Sequence, residues 1–141
     1  MSYSAWVIKI HYAGETLMSK FEGNAITWFE IPTEDIKRAT RFYETLLAAK
    51  MLPFPGEEPC NMFPSDEGAV GGCLVQRLQQ KPGTGGTMVY LNVDGRLDDT
   101  LARAQRLEST VIVPKTQIPG GFGYYVCLID SEGNHVGLHS R

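Results

Sequence analysis

Few side chains in this sequence are equipped for chemistry. Its 141 residues include three histidines and three cysteines. Cys60, Cys73 and Cys127 are odd in number, widely spaced and in no CxxC pair. That pattern argues against a disulfide framework or a zinc knuckle and for reduced thiols in a cytoplasmic protein. His135 and His139 lie four apart in a strand-like segment. At ~3.3 Å per residue their Cα atoms stand ~13 Å apart, too far to share one ion simply. Glu30 with one of these histidines is a second geometric route to a metal, but ligand count and type favour none. Glu30 and His135 are instead the candidates for general acid–base work. A carboxylate on an inward strand position is costly unless paired or functional, and imidazole changes charge near neutral pH. The plainer alternatives are an ion pair to an arginine or a hydrogen bond to a tyrosine for Glu30, and a solvated strand end for His135.

These residues sit in a recurring pattern of elements. Residues 26–31, Ile-Thr-Trp-Phe-Glu-Ile, read as a strand stopped by Pro32. Thr33 suits a helix N-cap, with Glu34 and Asp35 in the first turn. Ile36, Ala39, Phe42, Tyr43, Leu46 and Leu47 then make one apolar helix face. Residues 52–68 suggest loops and one short strand, and 71–75 a strand. Residues 79–86, Gln-Gln-Lys-Pro-Gly-Thr-Gly-Gly, are the clearest linker. After it the order repeats. Residues 87–93 form a strand, and Leu97, Leu101, Ala104 and Leu107 mark a helix. Strands follow at 110–113 (closed by Pro114), 123–129 and 134–139. The two opening strands begin about 60 residues apart, which points to duplicated modules. The expected division is an extension over 1–22, with an edge strand at 6–10, then modules over 23–80 and 81–141.

Strand parity sorts the faces. Phe29, Ile31, Val89, Leu91, Val93, Val126, Leu128, Val136 and Leu138 share the parity of a face packed under helices. The other parity gives Trp28, Glu30, Met88, Tyr90, Asn92, Tyr125, Cys127, His135, Gly137 and His139. Aromatic bodies with a few polar groups suit a small-molecule pocket, and Trp28 and Tyr90 offer flat surfaces for stacking. The alternatives are filler for Trp28 and Met88, a turn cap for Asn92 and a frayed end for His139. The loop over 119–123 reads as a lid or a hairpin connection. The net charge of −3 with scattered cations offers no nucleic-acid stripe, and no apolar run approaches a membrane span.

The run 27–32, Thr-Trp-Phe-Glu-Ile-Pro, followed by Asp35, Ala39, Phe42, Tyr43, Leu46 and Leu47, resembles the glyoxalase / bleomycin resistance protein / dioxygenase (vicinal oxygen chelate) superfamily. Val89 to Val93, Val113-Pro-Lys-Thr with Ile118, and Asp130-x-Glu-Gly-Asn134 agree with it. The resemblance covers residues 24–140. It implies an α+β fold of two βαβββ modules whose sheets form a half-open, cup-shaped mixed sheet. It implies metal ligands at Trp28, about Met88 and Gly137, and none of the three fits: indole nitrogen only donates, thioether is a poor ligand for hard cations, and glycine has no side chain. The resemblance therefore points to a member without the usual metal and with no cofactor, binding a small organic molecule through Trp28, Glu30, Met88, Tyr90, Asn92, Tyr125, Cys127, His135 and His139. Asp130, Gly133 and Asn134 are expected to be structural. The family's habit implies a homodimer. Alternatives are a lyase or isomerase similar to lactoylglutathione lyase, a dioxygenase, or a drug-sequestering protein that takes cations in an acidic groove. A remnant enzyme would use Glu30 or His135 as base, with burial raising the carboxyl pKa.

Overall fold

The computed structural model describes residues 8–12, 15–19 and 23–141. Strand β1 (Ile8–Tyr12) pairs antiparallel with β2 (Glu15–Ser19) in a sheet of their own. The edge strand expected at 6–10 thus begins at Ile8 and joins neither larger sheet. Trp6 and Val7 lie outside the described residues.

The expected fold class is observed: two four-stranded mixed sheets and two helices. The first unit runs β3 (Trp28–Pro32), α1 (Ile36–Leu47), β4 (Leu52–Pro53), β5 (Cys60–Met62), β6 (Gly71–Val75). The second runs β7 (Tyr90–Asn92), α2 (Leu97–Arg106), β8 (Val111–Gln117), β9 (Tyr124–Ile129), β10 (His135–Ser140). Both sheets take the same order, β3-β6-β5-β4 and β7-β10-β9-β8, with β3 parallel to β6 and β7 parallel to β10. The helical crossover explains that pairing, since parallel strands cannot be joined by a tight turn.

Several local expectations need correction. Asp35, not Thr33, caps α1; its carboxylate accepts the Arg38 N–H at 3.0 Å. Thr33 is buried, and its amide and hydroxyl both donate to the Val75 carbonyl, which prolongs the β3–β6 pairing and delays the helix. Residues 52–68 hold two short strands rather than one. Strand β8 runs through Pro114, because register shifts on both sides of Val113 accommodate a residue with no N–H to donate. The strand at 87–93 contracts to three residues.

The outward parity packs as expected. Ile31, Leu91, Val93, Val126, Leu128, Val136 and Leu138 join Phe42, Tyr43 and Leu46 in one core shared by both units, with Phe29 and Val89 against it. Phe63 also packs there, its ring 5.2 Å from Tyr43.

The β9–β10 turn fastens the units together. Asp130 accepts the Tyr43 hydroxyl at 2.6 Å, the Asn134 side chain at 3.0 Å, and the Glu132 and Asn134 amides at 2.8 Å. The buried Glu132 carboxylate accepts the Glu34 and Asp35 amides and the Arg38 guanidinium, so one unit supplies acceptors for the helix start of the other.

Candidate functional site

The two sheets border a cavity of about 330 Å³. Strand β3 contributes Glu30 and Ile31, and β10 contributes His135 and Val136. The two acid–base candidates, 105 residues apart in sequence, therefore meet one space. The segment between the units forms another wall through Gln80, Lys81 and Thr87. It is pinned there, since the Gly83 amide donates to Asn134 Oδ1 at 3.0 Å. A second concavity, of about 540 Å³, lies on the solvent side of α1 beside Arg41, Glu44 and Lys50 and holds none of the candidates.

Glu30 is held by a fork. Arg77 Nη1 donates to its Oε1 at 2.7 Å and Nη2 to its Oε2 at 3.0 Å. Arg77 also pairs with Glu58 and donates to Gln80 Oε1 at 3.1 Å. Hydrogen bonds from Arg77 pull the Glu30 carboxyl below the ordinary carboxylate range, outweighing the upward push of burial. The rise expected from burial is thus reversed, and Glu30 is a weaker base than a free glutamate. The Cys73 thiol lies 3.9 Å from Glu30 Oε2; burial pushes it up, which disfavours the nucleophilic thiolate.

His135 presents the opposite case. Its Nε2 is buried and makes no hydrogen bond among the described residues. A buried polar atom without a partner is uncommon in folded proteins and marks a place for a ligand or an ordered water.

The remaining candidates divide. Tyr90 lies over Gly137, where a Cβ would run into its ring, and Tyr125 packs edge-on to it at 6.2 Å beside buried Cys127. Trp28, 42% exposed, rests edge-on against Phe54 at 6.3 Å. Met88 is half-buried and does not line the cavity. Asn92 accepts the Asp94 amide at 2.9 Å, the turn-capping alternative. His139 is not frayed: it is paired within β10, and its Nε2–H donates to the Phe122 carbonyl at 2.7 Å, tying down the 119–123 loop.

Sequence reasoning missed Arg77, Gln80, Lys81 and Thr87. A signal for Arg77 was present: it continues the inward parity of Cys73 and Val75 beyond the strand end. Polar residues among the glycines of 79–86 mark the rest only weakly.

A sequence-family model described as bleomycin resistance protein-like N-terminal matches residues 25–63. Among solved structures, a glyoxalase / bleomycin resistance protein from Catenulispora acidiphila superposes with TM-score 0.59 at 21% identity, covering 81% of this chain and 96% of that one. The fosfomycin resistance protein FosX from Listeria monocytogenes gives 0.62 at 13% identity over 84% and 93%. Lactoylglutathione lyase from Agrobacterium tumefaciens gives 0.59 at 20% over 85% and 96%. The chain has the glyoxalase / bleomycin resistance superfamily fold. No curated protein matches it.

Within this glyoxalase-like fold, the residues at the metal positions do not fit an ion. Tyr90 fills the space beside Gly137, and among the described residues no three His, Cys, Asp or Glu side chains converge.

Proposed function

We propose that this protein binds a small organic molecule in the cavity between its sheets, without a metal ion. One observation carries the reading: Glu30 and the unpartnered His135 come from opposite units onto one partly apolar cavity, walled by the segment that joins them. Glu30, fixed by Arg77, serves to orient a ligand rather than to take a proton from it. Native mass spectrometry of the gently purified protein, together with a fragment screen followed by amide NMR, tests this. The expected result is a discrete added mass, or fragments that shift the amides of residues 83–87 and 135. A screen whose hits all avoid these amides overturns it. Tightly held divalent metal, one per chain after dialysis, would overturn the metal-free part.

The match over residues 25–63 favours a second reading, drug sequestration. Expression in a drug-sensitive host should then raise tolerance, and unchanged tolerance across a panel that includes bleomycin and fosfomycin would remove it.

A further inference from the structure

We infer that the cavity selects a small organic acid, with Lys81 at its mouth and His135 on its wall meeting the carboxylate. This rests on the small-molecule reading above and specifies the charge of the ligand.

The argument is a balance of donors and acceptors. The one carboxylate on the cavity, Glu30, already has both oxygens engaged by Arg77, a guanidinium it shares with Glu58. The Asn134 side chain is likewise engaged: its oxygen accepts from Gly83, and its nitrogen donates to the Pro32 carbonyl and to Asp130. Donors are left over. Lys81 lines the cavity, is exposed at its mouth and has no ion pair among the described residues. His135 can present an N–H at its unpartnered Nε2, and Thr87 adds a hydroxyl. A carboxylate supplies the acceptors these groups lack. An ammonium group would face Lys81 and find Glu30 taken. At about 330 Å³ the cavity lies at the small end of ligand sites (~300–1,000 Å³), so the acid is compact.

Three probes with one ring and different charge separate the alternatives. The full ¹⁵N-labelled chain is titrated with benzoate, benzamide and benzylamine, reading the amides of Gly83, Gly85, Thr87 and His135. Benzoate should bind at least ten-fold more tightly than benzylamine. Lys81→Met should weaken benzoate about three- to ten-fold and leave benzamide unchanged, because a rim charge acts only on a charged ligand. His135→Phe should weaken benzoate more than ten-fold while the spectrum stays folded. If His135→Phe disturbs the fold, Lys81→Met decides alone, since Lys81 is exposed. Benzamide or benzylamine binding as tightly as benzoate, or benzoate indifferent to Lys81→Met, overturns the acid assignment and leaves the cavity reading standing. If none of the three moves these amides, the acid assignment falls, and the cavity reading stands only on fragments of other chemistry in the wider screen.

Discussion

The two units share a backbone plan but differ on their inner faces. Each runs strand, helix and three strands in the same sheet order, and each turns its outward residues into one common core. At the equivalent inner position the first unit pairs Glu30 with Cys73 across parallel strands, while the second pairs Tyr90 with Gly137. One becomes a charged cluster closed by Arg77 and Glu58, the other an aromatic cover packed on Tyr125. The outer face is constrained by packing, where each side chain must fit its neighbours. The inner face meets solvent and a cavity, so it can differ without loss of the fold. A duplicated backbone therefore does not imply duplicated chemistry.

The strongest way to break the comparison is to separate the units. Asp130→Ala removes the acceptor for Tyr43, for the Asn134 side chain and for two amides, and leaves the buried Tyr43 hydroxyl and Asn134 amide unpaired. It should cost about 3 kcal/mol in denaturant unfolding, and Asp130→Asn clearly less. A loss below ~1 kcal/mol for the alanine variant would show that the turn does not fasten the units.

Next in size is a contrast between faces. A Cβ at Gly72 would strike the Phe29 ring, which is packed against the core; a Cβ at Gly137 would strike Tyr90, which is 52% exposed and free to swing out. Gly72→Ala should cost about 2 kcal/mol by overpacking, and Gly137→Ala less than about 1 kcal/mol. Equal costs would mean that the second inner face is packed as tightly as the core.

Glu132→Gln should cost about 1 kcal/mol near neutral pH, because an amide replaces one of the two accepting oxygens and loses the charge. Burial pushes the Glu132 carboxyl up, but Arg38 and the α1 amides outweigh it and hold it below the ordinary range. A depressed carboxyl stabilises the fold above its unfolded value, near 4.5, and loses that contribution as pH falls through the folded value. The gap between wild type and Glu132→Gln should therefore shrink on acidification below about pH 4.5, measured by urea midpoints across pH. A constant gap would assign the cost to shape rather than charge.

Legibility in the sequence follows the same division between faces. Period-two alternation in β3, β9 and β10 and the helical spacing of Ala39, Phe42, Tyr43 and Leu46 were readable, because burial imposes a simple rule on which positions are apolar. The capping of α1 was misplaced by two residues, since Thr33 has an equally good partner in Val75, which local sequence does not reveal. Glu30 and His135 were legible as inward polar residues. Their different fates were not: whether a polar side chain is paired depends on what a distant segment brings to it. Arg77 reaches Glu30 from 47 residues away, and among the described residues nothing comparable reaches His135 Nε2. The wall from Gln80 to Thr87 read as a linker because its glycines signal flexibility, whereas Asn134 fixes it from the other unit.

The smallest effect tests the charged cluster itself. Arg77→Met leaves burial and the neighbouring Glu58 charge acting on Glu30 without the guanidinium, and both act upward. The Glu30 carboxyl should therefore rise above the ordinary glutamate value, while Tyr90→Phe, changing only the other inner face, should leave it alone. Carboxyl ¹³C titration by NMR reads this directly. The unfolding midpoint at neutral pH should hardly move, because the pair is about one-third exposed and water screens it. The pairing favours folding above the unfolded carboxyl pKa, and protonating Glu30 removes it, so any small difference between wild type and Arg77→Met should vanish in acid. If Glu30 titrates unchanged without Arg77, the fork does not set its charge. Glu30 would then be as capable a base as a free glutamate, and the orienting role given to it would have to yield to proton transfer with His135 across the same cavity.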